Sequence, residues 1–278
     1  MTQAMKFFDP PPVRYFGSKW QLAEWIIAQM PPHEVYVEPY CGGASVFFRK
    51  EPSALEALND LNGDVLNFFD VLRSREAELI RAIDLTPYSL AEFKRAGEPS
   101  EDELERARRF YVRAYQSVGG GGAGRRAGGW RRVYDLKRGS TPGHDWSRLE
   151  GLYKAAQRLK EAQLECEDAL DVIKRYDSPD TLFYVDPPYV MDSCKDKRNV
   201  YVHEIDDEQQ RQLADVLHHI KGMVLLSGYD SPLYQELYSD WTVATKTNTT
   251  NGNSQSVEYL WSSPNATRMD RLPLFAGL

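Results

Sequence analysis

The sequence predicts an α/β chain built on a doubly wound, mostly parallel sheet, with a terminal antiparallel hairpin and a mostly helical insert. Three observations carry this. Short apolar runs alternate with helix-length amphipathic segments at both ends of the chain, the pattern of a parallel sheet covered by helices. Residues 74–160 break that alternation with helical segments and a glycine-rich loop. The run Leu182-Phe-Tyr-Val185 passes directly into Asp186-Pro-Pro-Tyr189. Its residues suit a pleated interior surface, and two prolines that cannot donate to a ladder then stop it.

Taken in order, Trp20 to Met30 reads as a helix and Glu34 to Tyr40 as the first strand. Gly42-Gly43 and a short helix through Phe48 follow. Leu55 to Asp60 is a second strand and Val65 to Leu72 an amphipathic helix. Within the insert, Leu104 to Tyr115 and Leu149 to Leu159 are helical. Leu164 to Asp168 and Thr181 to Asp186 then read as strands. Glu204 to His219 is a helix, with Leu213, Val216, Leu217 and Ile220 at helical spacing. Gly222 to Gly228 is a strand, and Ser231-Pro232 opens another helix. Trp241 to Thr247 and Val257 to Ser262 form the hairpin around a polar loop. These bounds divide the chain into a core domain of 13–73 and 161–265, an insert of 74–160, and tails of 1–12 and 266–278.

The chain has 278 residues and a formal net charge of −7, which at first argues against a polyanionic partner. The charge is uneven, however, and local patches decide such binding. Between Arg106 and Arg138 lie ten Arg or Lys residues against one acid, Asp135. The loop there contains Arg125, Arg126, Trp130, Arg131 and Arg132 among glycines, joining phosphate-pairing charge to a stacking ring. A solvated linker is the plainer reading of the same loop. The three cysteines are far apart and lack metal-ligand or redox spacing. With no secretory leader they suggest reduced thiols and a cytoplasmic chain. No apolar run reaches membrane-spanning length, and the histidines read as surface or packing residues, so neither a membrane nor a metal is expected.

In an open α/β sheet, ligands bind at the carboxyl ends of the strands. Glu38 closes the first strand in Glu38-Pro-Tyr-Cys-Gly-Gly43, where glycines permit close approach to the backbone. This is not the G-x-G-x-x-G pattern of a dinucleotide site. Asp60 ends the second strand, where an acid commonly takes ribose hydroxyls. Arg14-Tyr-Phe-Gly-Ser-Lys19 places a glycine turn and a lysine upstream. Asp186, the carbonyl of Pro187, and the ring of Tyr189 could together bind an exocyclic amine on a flat base. Each motif alone is weak: Asp186 could simply cap a strand end, and Asp60-Leu-Asn62 could be only a helix cap.

Together and in this order, Arg14-Tyr-Phe-Gly-Ser-Lys19, Glu38-Pro-Tyr-Cys-Gly-Gly43, Asn59-Asp-Leu-Asn62, Glu167-Asp168 and Asp186-Pro-Pro-Tyr189 resemble the Dam-type DNA adenine-N6 methyltransferases, the D12 class of the alpha group. The resemblance implies a Rossmann-like methyltransferase sheet, S-adenosyl-L-methionine as cofactor, double-stranded DNA as partner, and a target-recognition role for the insert. It implies that Tyr15, Phe16 and Lys19 border the cofactor. Glu38, Pro39, Cys41, Gly42 and Gly43 would hold its methionine part. Asp60 would take the ribose, and Asp168 with Ala169 the adenine edge. Asp186, Pro187, Pro188 and Tyr189 would be catalytic, with Asp186 also bordering the cofactor. Arg14, Arg125, Arg126, Trp130, Arg131 and Arg132 are the candidate DNA contacts, and the chain is expected to act as a monomer, with an oligomer as the alternative. The insert departs from relatives that read GATC: Tyr115-Gln-Ser-Val118 leads into the Gly-Arg loop, where those relatives carry an Arg-Tyr-Asn-type hairpin. In this it looks closer to phage-type adenine methylases, with restriction–modification as a further setting.

The implied chemistry suits these residue types. An adenine amino nitrogen is a poor nucleophile, because its lone pair is delocalised into the ring. Accepting its hydrogens at Asp186 and the Pro187 carbonyl localises that pair for attack on a sulfonium methyl, and a nearby carboxylate favours the positive charge that develops. The base must first leave the duplex, at a cost of about a few kcal/mol, of which stacking on Tyr189 returns roughly 1–3 kcal/mol. Cytosine N4 is an alternative target, although Asp in place of Ser at position 186 favours adenine. A DNA-binding relative without catalysis is the other alternative.

Overall fold

The computed structural model describes residues 11–118, 129–133, 141–188, 205–228, 230–249 and 255–267. These residues form helices α1 (Ala23–Ile27), α2 (Gly63–Ser74), α3 (Glu76–Asp84), α4 (Leu90–Arg95), α5 (Glu103–Gln116), α6 (Pro142–Trp146), α7 (Glu150–Leu159), α8 (Ala169–Arg175), α9 (Asp207–His219) and α10 (Pro232–Leu237). Strands β1 (Val35–Glu38), β2 (Leu55–Asn59), β3 (Ala162–Glu165), β4 (Thr181–Val185), β5 (Met223–Gly228), β6 (Thr242–Thr249) and β7 (Gln255–Ser262) join in one seven-stranded sheet.

The strand order is β3-β2-β1-β4-β5-β7-β6. The first five strands pair in parallel, and β7 runs antiparallel to both β5 and β6. The expected doubly wound sheet with a terminal hairpin is therefore present. β4 lies at its centre, and all five of its residues are buried, which accounts for its continuous apolar sequence.

Local chemistry fixes the helix starts. Asn62 caps α2 by accepting from the Asp64 N–H, and Asp102 caps α5 by accepting from Glu105 at 2.8 Å. Asp206 and Gln209 form a reciprocal capping box at α9. Ser231 caps α10, whose first residue is Pro232.

Among the described residues the core divides between the two sheet faces. One cluster packs Val37, Phe183, Val185 and Leu226 against α8, α9 and α10. The other carries Tyr36, Leu58, Phe68, Phe69 and Leu182, and continues into Phe110, Tyr111, Trp146 and Leu152 of the insert. The Phe68 ring lies 5.3 Å from that of Phe110 and is stacked 5.9 Å from that of Tyr111. Each such buried side chain contributes roughly 1.5–3 kcal/mol. The insert thus shares a core with the sheet.

Three local expectations are corrected. Residues 42–48 form turns in place of a short helix, because Gly42 (φ 47°) and Ala44 (φ 49°) are both left-handed. The expected Trp20–Met30 helix is confined to Ala23–Ile27, preceded by turns after Gly17 at φ 75°. β3 runs Ala162–Glu165 and ends before the expected Asp168. There Asp168 caps α8 by accepting from the Leu170 N–H, which removes it from the ladder.

Candidate active site

The strand order reverses across β1 and β4, and a cavity of about 470 Å³ opens at the carboxyl ends of β1, β2 and β4. Its position is the crevice expected of an open α/β sheet, and its size suits a small-molecule ligand. Tyr15, Phe16, Lys19, Glu38, Pro39, Cys41, Gly42, Gly43, Asp60, Asp168, Ala169 and Asp186 all line it, as does Pro188. Ile205, Gln209 and Gln212 also line it and were missed by sequence reasoning, which quoted Tyr40 and Asn59 within motifs but gave them no role. The two glutamines lie three apart at the start of α9, a spacing that places both on one helix face; that face could have been read from the sequence.

Glu38 is the last residue of β1 and is 2% exposed. Its Oε1 accepts from the Tyr36 hydroxyl at 2.7 Å and from the Phe47 N–H at 2.8 Å. Burial pushes its carboxyl up to about 8, against the lowering effect of those two donors. Such a group gains most from an incoming cation, which restores the charged form.

The turns after β1 are fastened from the neighbouring strand. Asp60 accepts from the Gly42 N–H on one carboxylate oxygen and from the Asn62 N–H on the other, each at 2.8 Å. Asn59 donates to the Pro39 carbonyl at 2.9 Å and to the Glu167 carbonyl at 3.0 Å, and it accepts from the Glu167 N–H. One buried amide therefore ties together the chain after β1, β2 and β3. The expectation that Gly42 and Gly43 make room for a ligand acquires a second reason. A Cβ on Gly43 would lie 2.8 Å from the Tyr15 Cβ, and one on Gly42 would lie 3.0 Å from the Tyr15 ring. The glycines let Tyr15 pack on the loop.

Across the cavity, Asp186 follows β4 directly, and its Oδ1 lies 2.9 Å from the Lys19 Nζ. Lys19 is 5% exposed and also donates to the Gly17 carbonyl at 3.1 Å. The glycine turn of residues 14–19 therefore delivers a buried ammonium to the carboxylate that opens the Pro-Pro turn. Pro187 and Pro188 leave the sheet at that point, while Tyr189 lies outside the described residues.

The candidate DNA contacts lie in other places. Arg14 meets Asp145 at 3.2 Å, and its guanidinium sits 5.1 Å from the Tyr115 ring centroid. Arg131 meets the same Asp145 oxygen at 3.1 Å. Trp130 is held in the insert: its indole N–H donates to Gln116 at 3.3 Å, its ring packs 5.5 Å from that of Tyr88, and Arg132 lies over it. Arg125 and Arg126 lie outside the described residues. Much of the basic charge on α5 is compensated: Arg106 and Arg113 pair with Asp64, Arg108 with Glu92 and Glu105, and Arg109 with Glu105. Among the described residues no group of three or more His, Cys, Asp or Glu could hold a metal, and no helix is long and apolar enough to cross a membrane.

Known proteins resemble this chain over most of its length. The DNA adenine methylase of Escherichia coli K12 is 28% identical over 240 residues, covering 81% of this chain and 83% of that protein. The DNA N-6-adenine-methyltransferase of Escherichia phage P1 is 26% identical over 244 residues, covering 84% of this chain and 31% of that protein. A type II methyltransferase of Lactococcus lactis subsp. cremoris is 23% identical over 294 residues, covering 92% of this chain and 95% of that protein. The model of the D12 class N6 adenine-specific DNA methyltransferases matches residues 15–252, from the Tyr15 turn through the strands and the insert to the hairpin. The chain belongs to that family, the D12 class N6 adenine-specific DNA methyltransferases.

Proposed function

We propose that the cavity at the ends of β1, β2 and β4 holds S-adenosyl-L-methionine, and that the turn after β4 receives the amino group of a flipped adenine. The donor set fits the cofactor. Glu38 offers a buried carboxylate to the ammonium of the methionine part. Asp60 follows β2 on the cavity lining and offers its carboxylate to ribose hydroxyls, held in place by the Gly42 and Asn62 N–H groups. Asp168 and Ala169, on the wall at the start of α8, face the adenine edge. Tyr15 and Phe16 close the cavity with aromatic surface. When bound, S-adenosyl-L-methionine supplies the methyl group.

The protein's own part is to hold the acceptor. Asp186 and the Pro187 carbonyl accept the two amino hydrogens and so localise the nitrogen lone pair. The Asp186 carboxylate also favours the positive charge that develops on that nitrogen. Lys19 fixes the carboxylate before the base arrives. Pro187 and Pro188 fix the turn through their ring-locked backbone. Tyr189 stacks on the base.

Arg14 and Arg131, gathered by Asp145, and Arg132 over Trp130 form the described part of the DNA-facing surface, with Arg125 and Arg126 in the same loop. The chain acts as a monomer on duplex DNA in the cytoplasm. The observation that carries this reading is the placement of Asp186 on the wall of the same cavity as Glu38 and Asp60. Calorimetric titration of S-adenosyl-L-methionine into the parent protein tests the cofactor half directly. Saturable one-to-one binding, weakened in Asp60→Ala, is expected; no binding by the folded parent refutes the assignment.

A further inference from the structure

The turn after β4 offers three acceptors in a row: the Asp186 carboxylate, the Pro187 carbonyl and the Pro188 carbonyl. The third is held from α9. Gln210, in the first turns of α9, donates its side-chain amide to the Pro188 carbonyl at 3.1 Å. A carbonyl only accepts, so the amide nitrogen must face it and the amide oxygen must point away. That oxygen accepts from the Tyr234 hydroxyl of α10 at 3.2 Å. Gln210 is 0% and Tyr234 2% exposed, so both side chains are shielded from water, while the bond to Pro188 is partly buried.

The support continues one layer outward. A Cβ on Gly228, the last residue of β5, would fall 2.5 Å from the Tyr234 ring. Glycine there lets the ring lie flat on the strand end. Ser231 caps α10 and accepts from the Tyr234 N–H at 3.2 Å. Tyr234 is thereby fixed by its helix start and by the sheet. On α9, Gln209 and Gln212 face the cavity, while Gln210 between them faces the turn.

We infer that Gln210 is a positioning residue, holding the Pro188 carbonyl and with it the turn that presents Asp186 and the Pro187 carbonyl to the target amino group, with Tyr234 fixing the orientation of its amide. The inference rests on the proposed role of that turn. Without the amide, the Pro188 carbonyl loses its donor, and the turn can rotate to find another. A shift of about 1 Å at a reacting centre costs on the order of 10²-fold in rate.

The test compares the parent, Gln210→Leu, Tyr234→Phe and Asp186→Ala in single-turnover transfer of a tritiated methyl group. The substrate is polymerase-copied DNA of mixed sequence, with DNA and S-adenosyl-L-methionine both saturating. Calorimetric donor affinity and melting temperature are measured alongside. Gln210→Leu is expected to slow transfer about 10- to 100-fold with donor affinity kept within about twofold. Tyr234→Phe, which keeps the ring and loses one neutral hydrogen bond, is expected to slow it about 3- to 10-fold. Should Gln210→Leu fail to fold, Tyr234→Phe decides alone. Parental rates in both variants with Asp186→Ala inactive overturn the inference and leave the reading of the turn standing. A parental rate in Asp186→Ala overturns that reading. Rate, donor affinity and melting temperature falling together would make Gln210 merely structural and also overturn the inference.

Discussion

The Lys19 ammonium lies 2.9 Å from the Asp186 carboxylate, joining the turn before α1 to the end of β4 across the mouth of one cavity. Glu38 lines the same cavity, and the Asp186 charge contributes to its raised carboxyl. Lys19 therefore sits at the meeting point of the proposed donor and acceptor sites. Replacing it by Met keeps length and removes the charge. Loss of one charge-assisted hydrogen bond, about 1.5–3 kcal/mol, is expected to lower single-turnover methylation by at least tenfold, and an unchanged rate would show the pair to be incidental.

Asp60→Ala is expected to weaken donor binding more than DNA binding. The substitution removes the acceptor for the Gly42 N–H and the Asn62 N–H as well as the proposed ribose contact. A charged hydrogen bond is worth roughly 1.5–3 kcal/mol, so calorimetry should show an affinity loss of tenfold or more. An unchanged donor affinity would reject the ribose role.

Glu38 gives a pH signature of definite sign. Its carboxyl titrates near 8 in the folded chain against 4.5 in the unfolded one, so between those values the folded chain holds the extra proton. Stability from this group is present below pH 4.5 and is lost as pH rises through about 8. Glu38→Gln should flatten that decline in melting temperature. Donor binding runs the other way: the ammonium favours the carboxylate, so affinity should rise as pH approaches 8. Binding at pH 7 should also release a proton, visible as a buffer-dependent heat. A buffer-independent heat would contradict the pairing of Glu38 with the donor's ammonium.

The insert predicts salt-dependent DNA binding. Each lost phosphate contact should flatten the log–log salt slope by about 0.9. Replacing Arg125, Arg126, Arg131 and Arg132 by Ala should lower DNA affinity and leave donor affinity intact. Arg131 should count for less than a free arginine, because Asp145 already pairs with it. Asp145→Asn, which releases both Arg14 and Arg131, should steepen the slope. If neither variant changes the slope, the loop and its anchor lie away from the DNA.

The sheet was legible because its evidence is local. Four apolar residues before Asp186-Pro-Pro, and capping residues such as Ser231 before Pro232, mark element ends whatever surrounds them. Most of the cavity lining was legible for the same reason: four of the five motifs follow a strand end, and the fifth, residues 14–19, is the turn before α1. What stayed hidden depends on distant partners. Tyr15 filling the space over Gly43 and Asn59 tying together three chain segments follow from packing that no spacing encodes. The basic insert misled in part. Its composition counted the arginines of α5 as available charge, whereas Asp64, Glu92 and Glu105 compensate them in the fold. Trp130 read as a stacking ring, and its packing 5.5 Å from the Tyr88 ring depends on a partner distant in sequence.

The central claim is that Asp186 holds an adenine amino group for methyl transfer. The most direct measurement digests DNA after incubation with enzyme and S-adenosyl-L-methionine, then identifies the methylated nucleoside by mass spectrometry for the parent, Asp186→Asn and Asp186→Ala. The expected result is N6-methyladenine from the parent and a severe loss from both variants, with donor affinity retained. N4-methylcytosine from the parent, or near-parental N6-methyladenine from Asp186→Ala, would contradict it.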